Sequence, residues 1–227
     1  MKIDLTNFKP TIIRNIASAN IAELNLHTCR NVLLLPTDAA DFTVAIATPD
    51  TKRFTITATP DMLIVDEAIT EDMLTDIEAA PLSITPPALA NATPNIVIYV
   101  PKAIDVTATL YGELVFENLC QIGKLNLAAT GSAHITARAQ SAHLDLKRSA
   151  KASIVMRGGD LTGFIGNASL LRIHGHCQAL NVQASCGTTY LHHNLSHEFE
   201  IKGTPSRDSK SFPKHRQPQA FQRYMKD

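Results

Sequence analysis

Short apolar alternations run along most of the chain. Between Ile21 and about Val65 they are Leu24-Asn25-Leu26, Val32 to Leu35, Phe42-Thr43-Val44-Ala45-Ile46 and Phe54-Thr55-Ile56-Thr57. Thr, Val, Ile and Phe at period two, with Pro36, Pro49 and Pro60 between them, predict β-strands and turns. Residues 1–20 predict no element. Residues 66–80, DEAITEDMLTDIEAA, break the alternation with six acids and no base. Thr70 is placed to cap a short helix whose first turn holds Glu71 and Asp72, where the helix dipole favours anions. Met73, Leu74 and Ile77 then share a face. Pro81, Pro86, Pro87 and Pro94 make 81–95 a loop or linker.

From Ile96 the alternation becomes a repeat with a beat of about ten residues. Its triplets include Ile104-Asp105-Val106, Leu114-Val115-Phe116, Leu125-Asn126-Leu127, Ile135-Thr136-Ala137, Leu144-Asp145-Leu146, Ile154-Val155-Met156, Leu161-Thr162-Gly163, Leu171-Arg172-Ile173, Leu180-Asn181-Val182 and Thr189-Tyr190-Leu191. Small or turn-forming residues separate them. Each triplet sends two side chains one way and one the other. One series runs Leu125, Leu144, Leu161, Leu180. The other runs Leu114, Ile135, Ile154, Leu171, Thr189. Two strands per coil, stacked coil on coil, predict an all-β fold: a parallel β-helix of about five coils, with the acidic helix and capping segments. A β-sandwich shows a similar beat but favours NG or DG turns and larger core aromatics. The predicted organisation is an N-terminal strand and capping region over 1–95, solenoid repeats over 96–201 and a tail over 202–227.

The run IVIYVPKAIDVTATLYGELVFENL resembles the opening of the repeat in the auto-transporter adhesin head (GIN) domain family. KLNLAATGSAHITARAQSAHLDLKRSAKASIVMRGGDLTGFIG continues in the same style, and TVAIAT, RFTITA and DMLIV are similar to that family's N-terminal portion. The resemblance covers about 21–195. It implies a right-handed β-solenoid with no established catalytic site, so it transfers no functional residue.

Composition narrows the picture. Of 227 residues, 44% are hydrophobic and only 5% aromatic; there are 28 alanines and no Trp. That excludes a disordered chain and suits a narrow core of small side chains. No apolar run reaches the roughly 20 residues that span a bilayer. The N-terminal sequence MKIDLTNFKPTIIRN lacks the unbroken apolar stretch of a secretory leader, which predicts a cytoplasmic protein or one exported by a non-classical route. Four cysteines, Cys29, Cys120, Cys177 and Cys186, have no metal-type spacing and predict reduced thiols. The formal net charge of zero conceals an asymmetry: residues 202–227 hold seven Lys or Arg against two Asp. In this tail, Phe221, Tyr224 and Met225 fall on one helical face and are candidates for docking on a protein surface.

Candidate chemistry is sparse. An outward column of Asp105, Asn126, Asp145, Thr162 and Asn181 is predicted, and Asp105 and Asp145 are the pair to weigh for glycoside chemistry. A second column, Glu117, Arg138, Arg157, His174 and His192, flanked by Arg172, forms a basic stripe suited to an acidic partner or an anionic glycan. His174, His176, His192, His193 and His197, with Cys177 and Cys186, offer borderline-soft ligands, but no spacing fixes a metal site and none is assigned. No GxSxG, HExxH or GxxxxGK[ST] motif occurs, and no cofactor or catalytic residue is assigned. Nucleic acid is disfavoured, because the body is acidic. The reading is a non-enzymatic binding or assembly module, self-associating as a homo-oligomer or bound to a protein partner. Its alternatives are an adhesin-like or glycan-binding head and, third, a carbohydrate-active solenoid enzyme.

Overall fold

The computed structural model describes residues 5–17, 19–79, 93–166, 168–185, 187–196 and 198–203. The fold is all-β with one short helix. Its strands are β1 (Ile12–Ile16), β2 (Glu23–Thr28), β3 (Val32–Pro36), β4 (Phe42–Ile46), β5 (Phe54–Ala58), β6 (Met62–Glu67), β7 (Ile96–Val100), β8 (Ile104–Tyr111), β9 (Val115–Asn118), β10 (Ile122–Thr130), β11 (His134–Lys147), β12 (Lys151–Arg157), β13 (Leu161–Ile165), β14 (Leu170–Ala184), β15 (Thr189–Leu195) and β16 (Phe199–Lys202). The helix α1 spans Glu71–Ala79. It starts where Thr70 caps it, with the Met73 N–H donating to the Thr70 hydroxyl at 3.4 Å. Asp66 and Glu67 belong to β6, not to the helix. The segment 81–95 falls largely outside the described residues. Phe221, Tyr224 and Met225 lie wholly outside them, as do Cys186 and His197.

The strands form two ladders. The first runs β5–β6–β2–β8–β10, then the C-terminal half of β11, β13, the C-terminal half of β14 and β15. The second runs β1–β4–β7–β3–β9, then the N-terminal half of β11, β12, the N-terminal half of β14 and β16. From β6 to β14 in the first ladder, and from β7 to β14 in the second, every pairing is parallel. Toward the margins the direction reverses: β5 is antiparallel to β6, β4 to β7, and β15 and β16 to β14, while β1, antiparallel to β4, runs with the core strands again. β11 and β14 are long because each turns a corner and serves both ladders. Pairing also crosses the expected boundary at residue 95. β2 and β3 are flanked by β8 and by β7 and β9, so the N-terminal strands and the repeats share one sheet. The helix rests on a corner, with Ile77 against Gly112. Gly131 stacks on that corner at φ +117°, where a Cβ would lie 2.7 Å from the Gly112 carbonyl oxygen. Only glycine permits that approach.

Inward side chains of both ladders merge into one buried cluster. Fully burying each Leu, Ile or Val contributes about 1.5–3 kcal/mol. The parallel ladders place large residues beside small ones. In one column Leu125 pairs Ala142, which pairs Leu161. In the facing ladder Ile135 pairs Ala152, which pairs Leu171. This corrects the expected series: Leu144 pairs Leu127 and Gly163, and Ile154 pairs Ala137 and Ile173. The register slips by two residues, so inside and outside are preserved.

Candidate functional site

The slip rearranges every expected outward column. In the first ladder the row is Asn25, Thr107, Asn126, His143, Thr162 and Asn181. Asp145 belongs to the next row, with His27, Thr109, Ala128, Phe164 and Gln183. Asp105 sits beside a register shift between Ile122 and Leu125 and accepts the Lys124 N–H at 2.8 Å. Asp105 and Asp145 are thus offset by about four residues along the strands, roughly 13 Å before any spacing between strands is added. They do not form the carboxylate pair that glycoside chemistry needs.

The basic stripe is also divided. Arg138 pairs Val155, which pairs His174; Arg157 pairs His176; Arg172 pairs Ser153. Arg172 is matched by the Glu200 carboxylate at 2.8 Å, and His174 lies 3.8 Å from that of Glu198. His192 pairs Leu180 in the other ladder. Glu117, expected at the surface, is only 4% exposed beside the equally buried Val115 and Leu33, and burial raises its pKa. The acids of the C-terminal capping region were the missing element: β16 brings Glu200 onto Arg172, and nothing in the spacing of the arginines announces it. Among the described residues, no three His, Cys, Asp or Glu side chains come together as a metal-holding group. Nor is any helix among them long and apolar enough to cross a membrane.

One polar cluster is buried. The Glu67 side chain is fully enclosed at the corner following β2. It accepts hydrogen bonds from the Thr28 hydroxyl at 2.7 Å, the Cys29 N–H at 3.0 Å, the Cys29 thiol at 3.3 Å and Arg30 Nε at 3.0 Å. Arg53 stands 3.6 Å away. Burial works to raise the pKa of this carboxyl, but the hydrogen bonds from Cys29, Thr28 and Arg30 outweigh it and hold the group below its usual range. The cluster is no thiol nucleophile. Burial, then the Glu67 charge, pushes Cys29 up to about 11. Burial alone pushes Cys120 up to about 12 and also raises Cys177. In a Cys186→Ser variant at pH 8, these three thiols are expected to react with a disulfide reagent at least about a hundredfold more slowly folded than unfolded. A fast single-thiol phase in the folded protein contradicts the burial described here.

An open surface feature lies on the outer face of the first ladder. Across β11, β13 and β14 the two outward rows border an open cleft of about 500 Å³. His143 Nδ1 and the Thr162 hydroxyl share a hydrogen bond at 2.9 Å. Lys147 Nζ meets Asp145 Oδ2 at 2.7 Å, while the sheltered Asp145 Oδ1 has no partner among the described residues. Phe164 is half-buried between Asp145 and Gln183, and Asn181 and Gln183 are exposed. Gly163 explains the local form. It occupies an inward position between Leu144 and Val182 at φ +149°, pressed so closely on the Leu144 carbonyl that no Cβ fits. Sequence reasoning took Thr162 and Asn181 for an outward column but missed His143 and Phe164; an aromatic at an outward position of a strand was the available signal.

No family model matches the chain, and no curated protein matches it. A solved structure from Clostridium sporogenes ATCC 15579, described as a "putative cell adhesion protein", is similar at 14% identity and a TM-score of 0.37, over 74% of this chain and 77% of that one. A likeness at that level carries no function across.

Proposed function

We propose that the chain is a non-enzymatic recognition module built on a right-handed parallel β-helix of about five coils. The support for the coil reading is the parallel pairing of residues 17 or 19 apart in both ladders, as in Val106, Leu125, Ala142, Leu161 and Leu180. The single observation that carries the function is the double outward row with its cleft. Side chains there are held at one strand spacing by backbone ladders, so they are presented without ordering cost. The offset of Asp105 and Asp145 supports the non-enzymatic reading.

Two measurements test this. Reducing-end release from soluble polysaccharides is expected to be absent; release that Asp145→Asn abolishes overturns the non-enzymatic reading. A partner retained from source-cell extract is expected to be lost in the double variant Phe164→Arg, Asn181→Arg and kept in Arg157→Glu, with circular dichroism confirming both folds. Equal retention by all three proteins overturns the assignment of this face.

A second reading is self-association through the capping segments and the tail. It is favoured by seven Lys or Arg against two Asp in residues 202–227, facing an acidic body. Sedimentation velocity of the full chain and of a chain ending at 203 tests it at physiological salt: identical profiles exclude the tail as the assembly element.

A further inference from the structure

We infer that the cleft over Phe164 binds a neutral oligosaccharide. This rests on the recognition-module reading and names its ligand class. The charges come first. The one cation bordering the cleft, Lys147, is paired with the one carboxylate, Asp145, at 2.7 Å. An anion or a cation entering the cleft therefore finds no unmatched opposite charge. Arg138 and Arg157 lie on the other ladder.

The remaining groups are those that recognise hydroxyls. Asn181 and Gln183 each bring an exposed amide with donors and an acceptor, and the Thr162 hydroxyl and the His143 ring border the same cleft. A sugar hydroxyl both donates and accepts, so it matches this mixture where a purely cationic or purely anionic ligand does not. Phe164 supplies the apolar component. Its backbone lies between those of Asp145 and Gln183, and its half-buried ring, with one edge beside Gly166, borders the cleft. The C–H face of a pyranose is the flat, weakly apolar surface that stacks on such a ring. A protein partner is less suited, because specific protein interfaces need a broader apolar centre than a single ring.

Geometry adds the length of the ligand. Hydrogen-bonding groups repeat across the ladder at about 4.8 Å, close to the advance of one sugar in an extended chain. The cleft is open and runs over three strands, so it fits internal sugars of a chain rather than one buried end.

The test uses the full-length protein and ligand-observed saturation-transfer NMR with cellohexaose, maltohexaose, mannohexaose and chitohexaose, beside a heparin hexasaccharide. At least one neutral hexasaccharide is expected to bind, with transfer strongest at ring C–H protons. Phe164→Ala should weaken it about tenfold, the loss of one stacked ring. Phe164→Tyr should retain it, and Asn181→Ala should weaken it severalfold. The inference is overturned if no neutral hexasaccharide binds, or if Phe164→Ala and Asn181→Ala both bind as wild type does. Binding of the heparin fragment alone, lost in Arg157→Ala, also overturns it while leaving a recognition module with a different site. Equal retention of a partner by the three proteins of the extract experiment, by contrast, removes the assignment of recognition to this face, on which the present inference rests.

Discussion

Replacing Glu67 with alanine is expected to destabilise the protein by about 3–5 kcal/mol, the range for breaking a buried charge cluster by removing one partner. The carboxylate is fully enclosed and accepts from Thr28, Cys29 and Arg30, with Arg53 close by. Its removal leaves those donors facing a cavity and two guanidinium groups without their shared anion. Urea unfolding at pH 7 measures the loss, and a change under about 1 kcal/mol refutes the role. The same cluster predicts an acid sensitivity. The folded carboxyl titrates below the ordinary glutamate value of 4.5. Its contribution is therefore complete above that value and is lost as pH falls through the lower folded pKa. Glu67→Gln is expected to be less stable at neutral pH but to lose less further stability on acidification. If the variant's stability falls with acid as steeply as the wild type's, Glu67 is not the responsible group.

Gly163→Ala is expected to cost about 3 kcal/mol, because it combines a glycine-only backbone conformation with a backbone clash. The clash is with the Leu144 carbonyl and cannot be relieved by rotating a side chain. The strands β11 and β13 must separate, which also displaces Phe164. Gly187→Ala is the control. Gly187 has φ +79° but open space around it, so only the left-handed conformation is penalised, at about 1–2 kcal/mol. Thermal or urea unfolding of the two variants settles the comparison. Equal losses mean that the close approach of β11 and β13 does not set the cost.

The alternation of apolar and polar residues made the strands, their inward faces and the capped helix legible in advance. The register was legible only to within two residues, for a reason that lies in the packing. Aligning the repeat by its largest aliphatics puts Leu125 beside Leu144 and Ile135 beside Ile154. The folded chain instead sets Leu125 beside Ala142 and Ile135 beside Ala152. In a narrow interior a large side chain is best accommodated over a small one, so the alanines that read as spacers are partners. A two-residue slip leaves the parity of a strand unchanged, so most inward positions held, and Asn126, Thr162 and Asn181 kept their common column while Asp105 and Asp145 left it. The exceptions are Glu117, which is buried, and β15, where Tyr190 is buried and Leu191 is 67% exposed. β1 was missed because Arg14 and Asn15 interrupt any apolar alternation in IIRNI, and it lies at a sheet margin where positions such as Ile13 are 55% exposed. Glu67 was not legible as a structural anchor. In sequence it is one of six acids in a row of apparent helix, and only the meeting of β2 with β6 brings Thr28, Cys29 and Arg30 to it.

The reversal of chain direction at β4, β5, β15 and β16 has a bearing on how the protein behaves when crowded. A stack of parallel strands is a natural template: its last exposed backbone groups offer a copy of the chain the same pattern that the previous coil offered. Here β5, β4, β15 and β16 run opposite to the core strands they adjoin, so the parallel continuation is interrupted at both ends of each ladder. The edge strands β1, β5 and β16 are also only five, five and four residues long, and short edges give a second chain little to pair with.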